Sequence, residues 1–147
     1  MIISSNDSEI SLQVTSAVSH MMNSRDDKIF SYLIFNIPIK IDVDDNKENK
    51  IYTNGIGIVF EGNKNNLKKE INEFGSQEVL KHEMMHIIFK HIERSENFVK
   101  MHNEYPPKYL MDVLNYAEDY IINTELGKRN SQKFVCEKTL LDLGLTP

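Results

Sequence analysis

The stretch LKHEMMHIIFKH, from Leu80 to His91, sets three histidines and a glutamate among residues that are otherwise mostly apolar. On a helix, which turns about 100° per residue, His82 and His86 lie one turn apart and about 40° from each other around the axis. Two imidazoles so placed converge on one point, and metal coordination is the chemistry that uses such a pair. Glu83 falls in the same arc; it is poorly placed as a third ligand and well placed as a general base acting on water at the metal. No Gly or Pro interrupts the run from Ser76, which is positioned to cap a helix, to Arg94, so one continuous helix is expected there. Met85, Ile88, Phe89 and Ile92 cover much of the remaining surface and predict a buried helix. Burying two histidines and a glutamate without partners is costly, and a metal removes that cost.

His91 follows His82 by nine residues, about 180° round a continuous helix. The position six after His82 is Ile88 rather than a helix-breaking glycine, so the extended HExxHxxGxxH motif of metzincins is not matched. His91 therefore reads as a supporting or surface histidine. A catalytic zinc takes three protein ligands and keeps a fourth position open for water, so one more ligand must come from elsewhere. The only cysteine is Cys136, which excludes a thiolate cluster and a disulfide framework and leaves nitrogen and oxygen donors. After Pro106 and Pro107, KYLMDVLNYAEDYIINTELG reads as a helix from about Lys108 to Leu126, stopped by Gly127 and packed through Leu110, Val113, Leu114, Ala117 and Ile121. Asn115, Asp119 and Asn123 share one stripe of that helix at four-residue spacing, with Tyr116 beside it. A carboxylate bracketed by two carboxamides suits a positioned ligand with its supporting shell, whereas alone it would read as part of a solvated face. Asp119 is thus the expected third ligand; Glu118, Glu125, His91 and His102 are its competitors.

The elements before this pair must hold it. Ser8 to Met22 has apolar residues at helical spacing and predicts an amphipathic helix ended by the polar SRDD. Phe30 to Val43, aromatic and β-branched, reads as a strand in which Pro38 marks an edge or a break. Ile51 to Asn63 reads as a second strand, with Gly55 and Gly57 as places of close backbone approach, and KNNLKKEINEFG as a polar connection with a short helix. The 147 residues suit one domain spanning 1–147. Acidic residues exceed basic ones, 22 to 17, which argues against nucleic acid as a partner. No apolar run approaches the ~20 residues of a membrane span, and MIISSNDSEI lacks the pattern of a signal peptide. The expectation is a soluble, cytoplasmic chain.

HEMMHIIFKHIER followed by NYAEDYIINTELG resembles the metallopeptidase domain that precedes a von Willebrand factor A-like (VWA-like) domain in bacterial and phage proteins. That family pairs a HExxH helix, usually continued by a histidine and an arginine, with a later helix carrying A-x-D-x-x-x-N. Here His91 and Arg94 match the continuation, and Ala117, Asp119 and Asn123 the second pattern. The likeness runs from about Ile51 to the C-terminus. The family continues into its second domain where this sequence stops at Pro147, which leaves a VWA-like domain as an expected partner in cis or in trans. The resemblance implies an α+β, zincin-like fold, with a small mixed or antiparallel sheet packed on the HExxH helix and on a second ligand-bearing helix. It also places the strand before that helix, IYTNGIGIVF, along the upper edge of a cleft where an extended peptide substrate adds to it. The expected activity is hydrolysis of peptide bonds, with zinc held by His82, His86 and Asp119, Glu83 as the base, and Tyr116 or Tyr120 at the oxyanion. The alternative is a zinc-stabilised interaction module whose cleft binds a protein without turnover.

Overall fold

The structure is a computed structural model and describes residues 2–24 and 28–128; Cys136 and the stretch VCEKTLLDLGLTP lie outside these. Ile10, Val14, Ala17, Val18 and Met21 recur at helical spacing and are all buried along one side of α1 (Ser8–Asn23). Its first turn is held by Asp7, whose carboxylate accepts from the Ile10 N–H at 3.0 Å. A short strand, β1 (Ile3–Ser5), precedes it. The predicted strand over Phe30 to Val43 is instead a helix, α2 (Lys28–Leu33), a 3-10 turn over Ile34–Asn36 and only then β2 (Ile39–Val43). Phe30, Ile34 and Ile37 are buried at spacings of four and three, a helical period that the β-branched composition hides. Pro38 immediately precedes the strand.

The second predicted strand is a hairpin, β3 (Lys50–Thr53) and β4 (Ile58–Gly62). Asn54 and Gly55 make the turn: the Asn54 side chain accepts from the N–H groups of Ile56 and Gly57, and Gly55 has φ 92°. Gly57 is a place of close approach, since a Cβ there would lie 2.6 Å from the Pro38 carbonyl oxygen. Among the described residues the four strands form one mixed sheet in the order β1-β2-β4-β3, with β1, β2 and β4 parallel and β3 antiparallel at the edge. The register sets Ile41 beside Phe60 and Phe60 beside Ile51, an apolar row across the sheet.

Asn63 caps α3 (Lys64–Phe74), and Gly75, at φ 91°, ends it and begins α4 (Ser76–Ile88) without a residue between. The N–H of Gly75 donates to Ile71 in the helix behind, while its carbonyl accepts from Val79 in the helix ahead. Ser76 is the first helical residue of α4 rather than its cap. α4 then packs against α1, α3, β3 and β4 and against the two helices that follow, α5 (His91–Met101) and α6 (Pro107–Lys128). Leu80 and Met84 have no exposed surface at its centre. On α6 the packed side carries Leu110, Ile122, Asn123 and Leu126, whereas Val113, Ala117 and Ile121 of the predicted face are exposed. The helix is rotated so that Asp119 and Asn123 of the polar stripe reach α4 beside the buried Leu110, Ile122 and Leu126. Among the described residues no helix is long and apolar enough to cross a membrane.

The Asp7 cap is testable through acid. The Ile10 N–H holds its carboxyl below the usual 3.8, and the Lys64 ammonium at 3.1 Å adds to this against the opposing effect of burial. A depressed folded-state pKa stabilises fully above the unfolded value and loses its effect as pH falls through the folded value. Asp7→Ala should cost about 1 kcal/mol in urea denaturation at neutral pH, and the gap to wild type should shrink below about pH 4. A gap independent of pH would show that the carboxylate's charge plays no part in the cap.

Candidate metal centre

His82 and His86, one turn apart on α4, both direct Nε2 at the same atom, Oδ1 of Asp119 on α6, from 3.1 and 3.0 Å. Their rings stand edge to face with centroids 5.0 Å apart. The other nitrogen of each ring is also engaged. His82 Nδ1 lies 3.0 Å from Asn123 Oδ1, an oxygen that accepts the Nδ1–H and leaves Nε2 with its lone pair. His86 Nδ1 lies 3.0 Å from Nδ1 of His91. Burial, together with the charges of His86 and Arg94, lowers the pKa of His91 to about 4, so its ring is neutral and can accept the His86 Nδ1–H. Two lone pairs and a carboxylate oxygen then face one point, and a cation placed among them serves all three. The separations of 3.0 and 3.1 Å are hydrogen-bond distances, and the groups need move apart by only about 0.3 Å to become neighbouring ligands of a tetrahedral ion with bonds of ~2.0–2.1 Å. Two imidazoles and one carboxylate are a donor set that suits zinc.

Where no cation holds the three groups, protons on the two Nε2 atoms do so, and the electrostatics are those of protonated rings beside a carboxylate. Burial pushes the Asp119 carboxyl up, but the hydrogen bonds and charges of His82 and His86 outweigh it and hold the group well below the usual carboxylate range. Burial works against a proton on His82, yet the bond to Asp119 and the charges of Glu83 and Asp119 raise its pKa. Glu83 has only 8% of its surface exposed, and burial pushes its carboxyl up to about 7 against the opposing charges of His82 and His86, with Asp119 and Glu70 adding to the rise. These groups line a cleft of about 570 Å³. β3 runs along it, α6 contributes Asn115, Tyr116 and Asp119, and the Asp119 side chain is 42% exposed, so the site opens into the cleft.

His82, Glu83, His86, Asp119 and the flanking Asn115 and Asn123 are therefore brought together as their spacing predicts. His91 is not where a continuous helix would place it. The helix ends at Ile88, Lys90 takes the left-handed conformation at φ 54° and ψ 41°, and α5 starts afresh at His91. His91 is consequently 5% exposed and lies against His86 instead of pointing away. The break needs no glycine; Arg94, reaching back with Nη1 to the Phe89 carbonyl at 3.4 Å, caps the broken end. Ser95, one turn beyond His91, donates to Oε1 of Glu118, whose other oxygen is 3.9 Å from His91 Nδ1. Glu118 thus belongs with His86 and His91 in a second cluster of donors behind the first. His102 pairs with Glu104 away from the cleft, which Glu125 and Tyr120 do not line either. Ser95 is the residue that sequence reasoning missed; only its spacing of four from His91 pointed to it.

No known family, characterised protein or solved structure matches the chain.

Zinc affinity, measured by competition with a chromogenic chelator, separates these roles. Asp119→Ala should lose affinity most steeply. His91→Ala should lose about 10- to 100-fold through the freed His86 ring. His102→Ala should match wild type. An unchanged affinity in Asp119→Ala would remove Asp119 from the site.

Proposed function

We propose that the protein is a zinc-dependent metallopeptidase of zincin-like architecture, with His82, His86 and Asp119 as the metal ligands and Glu83 as the general base. The convergence of both Nε2 atoms on Asp119 Oδ1, beside a buried glutamate in an open cleft, carries this reading. The antiparallel edge strand supports it further, since β3 pairs with β4 and lines the cleft, where an extended peptide can pair with the strand's backbone. When bound, zinc acidifies a water and polarises the scissile carbonyl.

The side chains do the rest. The Glu83 carboxylate can take a proton from the attacking water and return it to the nitrogen as the C–N bond breaks. Asn123 holds the His82 ring in the tautomer that leaves Nε2 free for the metal. Of the two candidate tyrosines, Tyr116 lines the cleft, and its hydroxyl is the donor assigned to the developing oxyanion.

A non-catalytic interaction module would close the fourth coordination position. His91, the nearest spare imidazole, reaches the Nδ1 side of His86 rather than the Nε2 side, and His102 is engaged elsewhere, so neither closes it. Glu83→Gln distinguishes the two readings. It should retain zinc and fold while hydrolysis of a library peptide falls by at least about 100-fold. Equal inertness of both proteins across the library, with equal binding of one protein partner, would replace the peptidase with the module.

A further inference from the structure

Part of the cleft lining has a composition that hydrolysis itself does not use. Glu70 and Phe74, one turn apart on α3, line it together with Ile51 of β3 and Val79 at the start of α4. The other cleft carboxylates have assigned work: Asp119 faces two imidazoles, Glu118 accepts from Ser95, and Glu83 is the proposed base. Glu70 is held by a neutral group, the Asn49 amide, which donates to its Oε2 at 2.7 Å. Among the described residues no cation pairs with it. Lys50 lines the same cleft but lies exposed on the edge strand, its ammonium 4.6 Å from the centre of the Tyr52 ring.

A half-buried carboxylate with apolar walls and no counter-charge complements a side chain that has a long apolar stem and a cationic end. Lysine and arginine have that form, and the planar fork of arginine matches a carboxylate best. We propose that this part of the cleft is a specificity pocket for a basic residue of the peptide substrate, with Glu70 receiving the cationic head and Ile51, Phe74 and Val79 flanking the stem. The pocket rests on the metallopeptidase reading of the site. A purely structural role for Glu70, anchoring Asn49, is separable from it, because Gln at position 70 still offers Asn49 an acceptor and lacks only the charge.

The test uses the zinc-loaded full chain and three hydroxamates on one peptide scaffold, carrying arginine, its neutral isostere citrulline, or leucine. The hydroxamate anchors each compound at the metal. The arginine compound should bind at least about 10-fold more tightly than the citrulline compound. In Glu70→Gln that ratio should fall to near one while the leucine compound binds as it does to wild type. A ratio near one in wild type, or one that persists in Glu70→Gln, overturns the pocket and leaves the metal site standing. Equal weakening of all three compounds in Glu70→Gln assigns Glu70 to holding Asn49 and also overturns it. Failure of all three to prefer zinc-loaded over metal-free protein overturns the metallopeptidase reading and the pocket with it.

Discussion

α4 has to satisfy two demands that conflict along a single helix. It passes through the middle of the fold, touching α1, α3, α5, α6, β3 and β4, and its Leu80 and Met84 are wholly enclosed. It also carries the titratable groups of the candidate site, which are costly in such surroundings unless each has a partner. Around the helix the apolar side faces α1 and the sheet, while His82, Glu83 and His86 face a cleft whose far wall is α6. Asp119 and Asn123 answer that cost for the two histidines from the opposite helix, and they sit on the side of α6 that also buries Leu110, Ile122 and Leu126. The site is thus part of how α4 and α6 pack, as well as a place for chemistry.

The break at Lys90 extends the same logic. A left-handed conformation at a non-glycine residue is unfavourable by itself, and it persists where surrounding contacts over-determine it. Here they include the Arg94 cap, the buried ring of His91 against His86, and the Ser95–Glu118 contact that ties α5 to α6. In the proposed metal site the His86 ring is therefore oriented by a helix that contributes no ligand. A neutral imidazole as acceptor leaves His86 less electron-rich than a carboxylate would, which favours a more Lewis-acidic metal.

What was legible in the sequence followed from short-range periodicity. The spacing of His82, His86, Asp119 and Asn123 is a property of single helices, and once two helices are recognised only their mutual approach is left to find. The amphipathic stripe of α1 was readable for the same reason. Phe30, Ile34 and Ile37 misled because β-branched composition suggested a strand while tertiary burial selected the helical period. The Asn54–Gly55 turn lay inside a run dense in Ile and Val, which hid a hairpin as one strand. The break after Ile88 had no local signal: Lys90 is an ordinary helix former, and the contacts that hold it left-handed come from residues further along and from α6. Nor could the rotation of α6 be read from its own composition, because polar partners on α4 decided it.

Gly75 joins α3 to α4 as a single shared residue, and this gives the cleft an unusual mechanical property. Glu70 and Phe74 sit just before the joint, and Val79 and Glu83 just after it. Both helices are hydrogen-bonded to the same glycine, which fixes the angle between them with no intervening loop. The α3 part of the cleft lining and the glutamate that would act in it are therefore joined through one hydrogen-bonded residue. Substitutions at positions 70 and 74 can change what the cleft accepts while the reacting groups on α4 and α6 keep their places, because the corner that sets α3 against α4 is made by Gly75 itself.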